Sequence, residues 1–330
     1  MSGASSNQGG TEAPSTPGRR TPLWQRLLPW AITAACFAYL WFRIDTAAAR
    51  QGKDAASLLG EVFSRVSWSR LLALMIPYSL SFFLIDSLVL WRVINWFNAR
   101  VSFLDILPVR ASTYILSILN EQLGKGAMAM YLHRREGVPG WQVGSSMLFI
   151  MFCEFYYLLA WATVGVLLRW SHLPTEFHVV PAIAAIAALF YLLWIAYFRG
   201  AVLPRSTLRD RDLFHAFRKA KPWQYGVVLV LRSPALLIGV VVYTVALRMF
   251  GIDMEMSAML SYVPVVFFGA AVPGPMRSVA IVLWVTLLPD HAAEAAIFGL
   301  VMHNFFIFFN AAIGLVFVRR AQREIFGASD

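Results

Sequence analysis

Apolar residues run along this chain in long blocks, separated by short polar segments in which Arg and Lys collect. A helix needs roughly 20 mostly apolar residues to cross a bilayer. Six blocks read as such spans: about Leu27 to Phe42, Leu71 to Trp91, Ser146 to Leu168, Val179 to Phe198, Tyr225 to Leu247 and Ala295 to Val318. Two further regions are apolar but broken. In Ser257 to Pro289 the only charged side chain is Arg277, and the run breaks at Val272-Pro273-Gly274-Pro275 into arms of 16 and 12 residues, Ser257 to Val272 and Ser278 to Pro289. Neither arm spans alone. Proline removes a backbone donor, and lipid cannot satisfy the polar main chain that such a break exposes. The pattern therefore predicts a hairpin that enters the membrane and turns back, with Arg277 just past its tip. The competing reading is one Pro-kinked helix of 33 residues.

The second broken region is Leu104 to Glu136, where Pro108, Arg110, Asn120, Glu121, Gly124, Lys125 and Gly126 interrupt pieces too short to cross. It reads as another hairpin, entering from the cytoplasm. Val138-Pro139-Gly140-Trp141 then reads as a short interfacial turn. Between the first two spans, Leu58, Leu59, Val62, Phe63 and Val66 recur at helical spacing within Ile44 to Arg70, which predicts an amphipathic helix lying in the interface.

Composition agrees with this pattern. At 330 residues, 59% hydrophobic and with a mean hydropathy of +0.62, the chain has too little charge to coat a soluble globule of its size. The expected fold is all-α: a polytopic membrane helix bundle with two re-entrant hairpins and two halves of inverted topology. The net charge of +10 would suit nucleic acid in a soluble protein. Here it gathers between apolar runs, most densely at 199–224, as the positive-inside rule requires. Six spans plus one outward-facing hairpin then leave both termini in the cytoplasm of a cell (inner) membrane. Residues 1–22, rich in Ser, Gly, Thr and Pro, read as a disordered cytoplasmic tail, 23–323 as the membrane domain and 324–330 as a C-terminal tail. Cys36 and Cys153 lie in apolar segments, which argues against a disulfide or a metal site. Trp24, Trp30, Trp68, Trp91, Trp96, Trp141, Trp170 and Trp223 fall near expected interfaces, as an aromatic belt would.

A charge in hydrocarbon costs several kcal/mol, so such residues pair, line water or act. Arg110, Lys125, Arg232 and Arg277 are the candidate cations, and Pro273, Gly274 and Asn120 belong to the turns beside them. Arginine offers a fork that matches phosphate, and a hairpin tip adds unpaired N–H groups. Substrate binding is expected there, against a reading in which Arg110 and Arg232 snorkel to the interface. Asp86 and Glu154 either carry a proton or pair with the arginines. His303-Asn304 and Asn310 are expected on the bundle side of the last span, in interhelical hydrogen bonds or in a proton path. Glu154-Phe155-Tyr156-Tyr157 either packs or meets a lipid tail.

The run Asn120-Glu121-Gln122-Leu123-Gly124-Lys125-Gly126, the following His133-Arg134-Arg135-Glu136-Gly137-Val138-Pro139, and the turn Val272-Pro273-Gly274-Pro275 carry a resemblance. Over roughly residues 25–320 the order of elements resembles the membrane domain of lysylphosphatidylglycerol synthases and its stand-alone, flippase-like relatives. Two departures stand beside it: the family's Pro-Gly-x-x-Gly-Glu pattern after the Asn is missing, and Arg277-Ser278-Val279 replaces the Glu expected after the second turn. The resemblance implies transfer of a lipid between leaflets, with no aminoacyl transfer.

The expected function is thus movement of an anionic, phosphate-bearing lipid or lipid-linked substrate across the bilayer. Alternatives are a membrane-embedded lipid-modifying enzyme and a proton-coupled small-solute transporter. No catalytic motif is found: Asp210 and Asp212 lie in a basic loop, with no paired-Asp site for magnesium and no nucleophile elbow. No cofactor is expected. The expected partners are membrane lipids, with no nucleic acid, and self-association is left open.

Overall fold

The computed structural model describes residues 23–119, 121–271 and 277–326. Every regular element among them is helical, in the order α1 (Leu23–Arg50), α2 (Ala55–Arg65), α3 (Trp68–Phe97), α4 (Phe103–Leu119), α5 (Glu121–Glu136), α6 (Gly140–Leu168), α7 (Val180–Phe198), α8 (His215–Lys219), α9 (Pro222–Met249), α10 (Met256–Ala271), α11 (Ser278–Leu287) and α12 (Ala292–Phe326). Among the described residues five stretches are long and apolar enough to cross a membrane: Trp68–Phe97, Gly140–Leu168, Thr175–Phe198, Pro222–Met249 and Pro289–Phe317. They cover five of the six expected spans. The remaining one falls within α1, a helix of 28 residues.

The expected amphipathic segment resolves into two pieces. Helix α1 continues to Arg50, and α2 begins at Ala55, where the Asp54 carboxylate accepts from Ser57 N–H at 3.1 Å and caps the helix. Ala55, Leu58 and Val62 of α2 are buried while Phe63 is exposed, so one apolar row packs on the bundle. The expected turn at Val138-Pro139-Gly140-Trp141 is instead the start of α6, with Pro139 at its N-cap. Proline lacks the N–H that a first helical turn leaves unused, which explains the difference.

Both broken regions fall into two helices each. Asn120 lies outside the described residues between α4 and α5, and 272–276, including Pro273 and Gly274, lie outside them between α10 and α11; the tail 1–22 and residues 327–330 are outside as well. The arms α10 and α11 pack on each other. A Cβ on Gly269 would stand 3.5 Å from the Cα of Ala280, a separation that a continuous helix over eleven residues, rising about 1.5 Å per residue, would not allow. The single kinked helix is thereby excluded. Helices α4 and α5 pack on each other in the same manner.

Polar contacts identify the two ends of the bundle. At one end Ser146 Oγ donates to Asn98 Oδ1 at 2.5 Å, and the Ala216 N–H donates to Ser145 Oγ at 2.9 Å. This joins the end of α3, the start of α6 and α8, within the basic segment 199–224. At the other end Arg169 pairs with Glu255 at 2.8 Å and Arg248 with Asp253 at 2.9 Å, joining the ends of α6 and α9 to the start of α10. The two helix pairs therefore begin at opposite ends. Helix α7 stands apart, with no buried residue and with α6 as its main neighbour.

Candidate substrate site

The interior of the bundle holds two groups of buried polar side chains. The first is centred on Asp86 of α3, which is 3% exposed. Its Oδ2 accepts from Arg110 Nε of α4 at 2.5 Å and from the Tyr114 hydroxyl at 2.8 Å, and its Oδ1 accepts from Arg232 Nη1 of α9 at 2.8 Å. Three helices thus close on one carboxylate. Arg110 Nη1 also donates to Thr113 Oγ1 at 3.3 Å, and its guanidinium lies 4.8 Å from the Tyr114 ring centre. Two guanidiniums and one carboxylate leave an excess positive charge, and Glu154 of α6, half-buried, is the acid whose field reaches Arg232. Burying ions this way is tolerable only with close pairing and saturated hydrogen bonds. One atom falls short of that: Arg232 Nε has no hydrogen-bond partner among the described residues.

The snorkelling reading of the two arginines does not hold. Arg232 is 4% exposed, and the Arg110 side chain, 26% exposed, is aimed at Asp86. Asp86 lies a few turns inside α3 and faces α4 and α9, so the cations find a partner in the interior and need not reach the interface. Of the two roles open to Asp86, the geometry places it in an ion pair.

The second group surrounds Arg277, which caps the start of α11 with φ 50° and ψ 39°. A left-handed conformation costs a non-glycine residue about 1–2 kcal/mol, so surrounding structure must hold it there. The Arg277 side chain does not cap α11, and leaves the first amides of that helix free of it. Its guanidinium lies 5.5 Å from the Phe306 ring centre, and its field reaches Tyr78 of α3, Tyr243 of α9 and His303 of α12. Among the described residues no carboxylate lies within ion-pair distance of Arg277. His303 is 1% exposed, and its Nε2 has no hydrogen-bond partner among the described residues. Tyr157 of α6 joins the two groups, within electrostatic reach of Glu154, Arg232 and Asp86 on one side and of Tyr78 on the other.

His303 and Asn310 are buried as expected of the bundle side, but Asn304 is not with them: its Nδ2 donates back to Leu300 O at 2.7 Å. One residue turns a helix by about 100°, which carries Asn304 off the His303 face. The expected interhelical hydrogen bonds are also missing at two atoms, since His303 Nε2 and Asn310 Oδ1 are both without a partner among the described residues. The side chain of Lys125 lies outside the described residues, as do Asn120, Pro273 and Gly274. Among the described residues no three His, Cys, Asp or Glu side chains gather as a metal ion would require.

Tyr78, Tyr114, Tyr157 and Tyr243 were not legible as site residues. The available signal was place for Tyr78 and Tyr157, which sit inside apolar blocks and away from the ends where a belt tyrosine would be; Tyr114 lies in a broken region and Tyr243 four residues before the end of its block. A groove of about 580 Å³ between α6 and α7 is lined by Phe152, Phe155, Tyr156, Ile183, Ile186, Ala187 and Phe190, so two members of the Glu154-Phe155-Tyr156-Tyr157 run face an apolar channel.

No protein-family model, curated protein or solved structure matches this chain. The likeness to lysylphosphatidylglycerol synthase membrane domains rests on the residues quoted for it alone.

Proposed function

We propose that this protein moves an anionic, phosphate-bearing lipid or lipid-linked substrate between membrane leaflets, in the manner of the flippase-like domains it resembles. In this reading α4–α5 and α10–α11 are re-entrant hairpins that enter from opposite faces, the arrangement with which transporters of inverted topology bind substrate near the midplane. The observation that carries the reading is Arg277. Arg110 and Arg232 already hold Asp86, whereas Arg277 is a half-buried cation with no carboxylate within ion-pair distance among the described residues, at a helix start whose dipole also favours an anion. The apolar groove between α6 and α7 supplies a surface for an acyl or isoprenoid chain.

The test is a leaflet-exposure assay in proteoliposomes carrying a fluorescent anionic phospholipid. Wild-type protein is expected to expose lipid faster than empty vesicles. Arg277→Ala should slow this by about tenfold or more, because a hydrogen bond to a charged group contributes about 1.5–3 kcal/mol. Wild-type protein no faster than empty vesicles overturns the reading.

A further inference from the structure

Gly165 on α6 and Gly314 on α12 both lie where a Cβ would strike the backbone of another helix. At Gly165 it would meet Ser261 N at 2.6 Å and the Leu260 carbonyl carbon at 2.7 Å; at Gly314 it would meet the Ala111 carbonyl oxygen at 2.5 Å. These are one contact made twice. Gly314 follows Gly165 by 149 residues (314 less 165), and Leu260 follows Ala111 by the same interval (260 less 111), so exchanging the halves converts one pair into the other. The packing obeys the same exchange when α3 to α6 are set against α9 to α12. Helix α4 packs on α12 as α10 packs on α6, and α5 packs on α6 as α11 packs on α12.

The interval also relates Glu154 to His303 (303 less 154) and Tyr157 to Phe306 (306 less 157). Glu154 and His303 each stand eleven residues before their glycine, close to three full turns, and so share its face of the helix. Each has an arginine as neighbour: the field of Arg232 meets Glu154 and Tyr157, while Arg277 meets His303 and lies over Phe306. The arginines themselves come from unrelated positions, one in the middle of α9 and one at the start of α11. A similar surrounding therefore recurs with two changes on the equivalent helix faces: Glu154 is replaced by His303 and Tyr157 by Phe306.

Resting on the transport reading above, we infer that His303 marks where the second half omits a protein carboxylate and takes its counter-charge from the ligand, a phosphate oxygen. That oxygen is held by the Arg277 guanidinium, the first amides of α11 and the Nε2–H of a neutral His303. Glu154 is the internal stand-in for the same anion in the first half. The ligand class is a phosphate with net negative charge, as in a phosphate monoester, supplied either by a lipid headgroup that carries no cation of its own or by a free anion.

The test uses purified full-length protein, delipidated and returned to nanodiscs of phosphatidylcholine with or without phosphatidic acid, with inorganic phosphate as a separate probe. Lipid retention is read by native mass spectrometry and stability by thermal melting. Wild-type protein should retain phosphatidic acid over phosphatidylcholine. His303→Glu, which installs the carboxylate of the other half, should lower that preference by about tenfold or more, and His303→Gln, which keeps a neutral donor, by only about threefold. His303→Glu should melt no lower than His303→Gln, since it neutralises Arg277. Should His303→Glu melt lower, Arg277→Gln decides, with loss of the preference expected. Stabilisation by phosphatidic acid alone identifies the headgroup as the source, and stabilisation by inorganic phosphate identifies a free anion. Equal effects of Gln and Glu at 303, a preference that survives Arg277→Gln, or no preference in the wild type overturns the inference. Binding is read without any leaflet movement, so a preference with no lipid movement sinks transport and keeps the anion site, and movement with no preference does the reverse.

Discussion

Asp86 and Arg232 form a salt bridge of 2.8 Å with both side chains buried, and the second oxygen of the same carboxylate holds Arg110 at 2.5 Å. One acid thus serves two bases, which makes the cost of removing each member unequal. Asp86→Asn strands two guanidiniums in the interior, and breaking a buried pair costs about 3–5 kcal/mol. Arg232→Gln leaves Asp86 still paired with Arg110. Thermal melting in detergent should therefore fall further for Asp86→Asn than for Arg232→Gln. The opposite order would mean that Glu154, and not Asp86, is the main counter-charge of Arg232.

Gly165 and Gly314 should be intolerant of even one methyl group. The atoms their Cβ would meet, Ser261 N and the Ala111 carbonyl oxygen, belong to backbone and cannot swing aside. Overpacking of this kind costs about 1–3 kcal/mol. Gly165→Ala and Gly314→Ala should each lower the melting temperature. Gly144→Ala, also in α6 but with nothing within 4 Å, should hold or raise it through the better helix propensity of alanine. Melting temperatures that do not separate Gly144 from the other two would show that the helices part easily at these crossings.

The arms of Ser257 to Pro289 were legible almost to the residue, because Pro and Gly punctuate a run whose one charged side chain is Arg277. Periodicity did less at Val138-Pro139-Gly140-Trp141, where the residues that suggest a turn also start a helix, and the structure makes them the first turn of α6. The charges were legible as a set but not as pairs. Asp86 and Arg110 come from consecutive helices and Arg232 from one far along the chain, and only tertiary packing brings the three to one point. The correspondence between Glu154 and His303 escaped for a related reason: the halves share spacing and packing but few residues, so it became visible only through two matching backbone contacts. Trp284 shows the limit of the belt argument, since it is fully buried against Tyr243 and Phe298.

Topology gives a prediction that does not depend on the ligand. If α10 and α11 together return to the face they start from, positions 257 and 290 lie on one side and 319 on the other. Single cysteines at Ser257, Asp290 and Arg319, in a background with Cys36 and Cys153 replaced, should label accordingly with a membrane-impermeant maleimide applied to inside-out and right-side-out vesicles. Asp290 and Arg319 labelling from the same side would sink the six-span arrangement. The ion pairs Arg169–Glu255 and Arg248–Asp253 already put the start of α10 at the end of the bundle opposite the basic segment 199–224.

That basic segment closes on the bundle through His215 of α8, and the contact makes stability depend on pH. His215 is buried, and its Nε2 lies 3.1 Å from the Phe97 carbonyl at the end of α3, a bond that a neutral imidazole makes as donor. Burial pushes its pKa below the ordinary 6.5, and although the bond to Phe97 opposes this, the charges of Lys219 and Arg218 push the same way as burial. In the unfolded chain the imidazole titrates near its ordinary value, so below about pH 6.5 the unfolded state binds more protons than the folded one and stability falls as the pH falls. Melting temperatures should therefore be level above neutrality and decline as the pH drops from about 6.5 toward the lowered folded-state value. His215→Gln keeps a neutral donor for Phe97 and removes the titration, so the decline over that window should shrink, at the cost of a small uniform loss. An unchanged pH profile in His215→Gln would assign the decline to other groups and leave the His215–Phe97 contact a hydrogen bond without a titrating role.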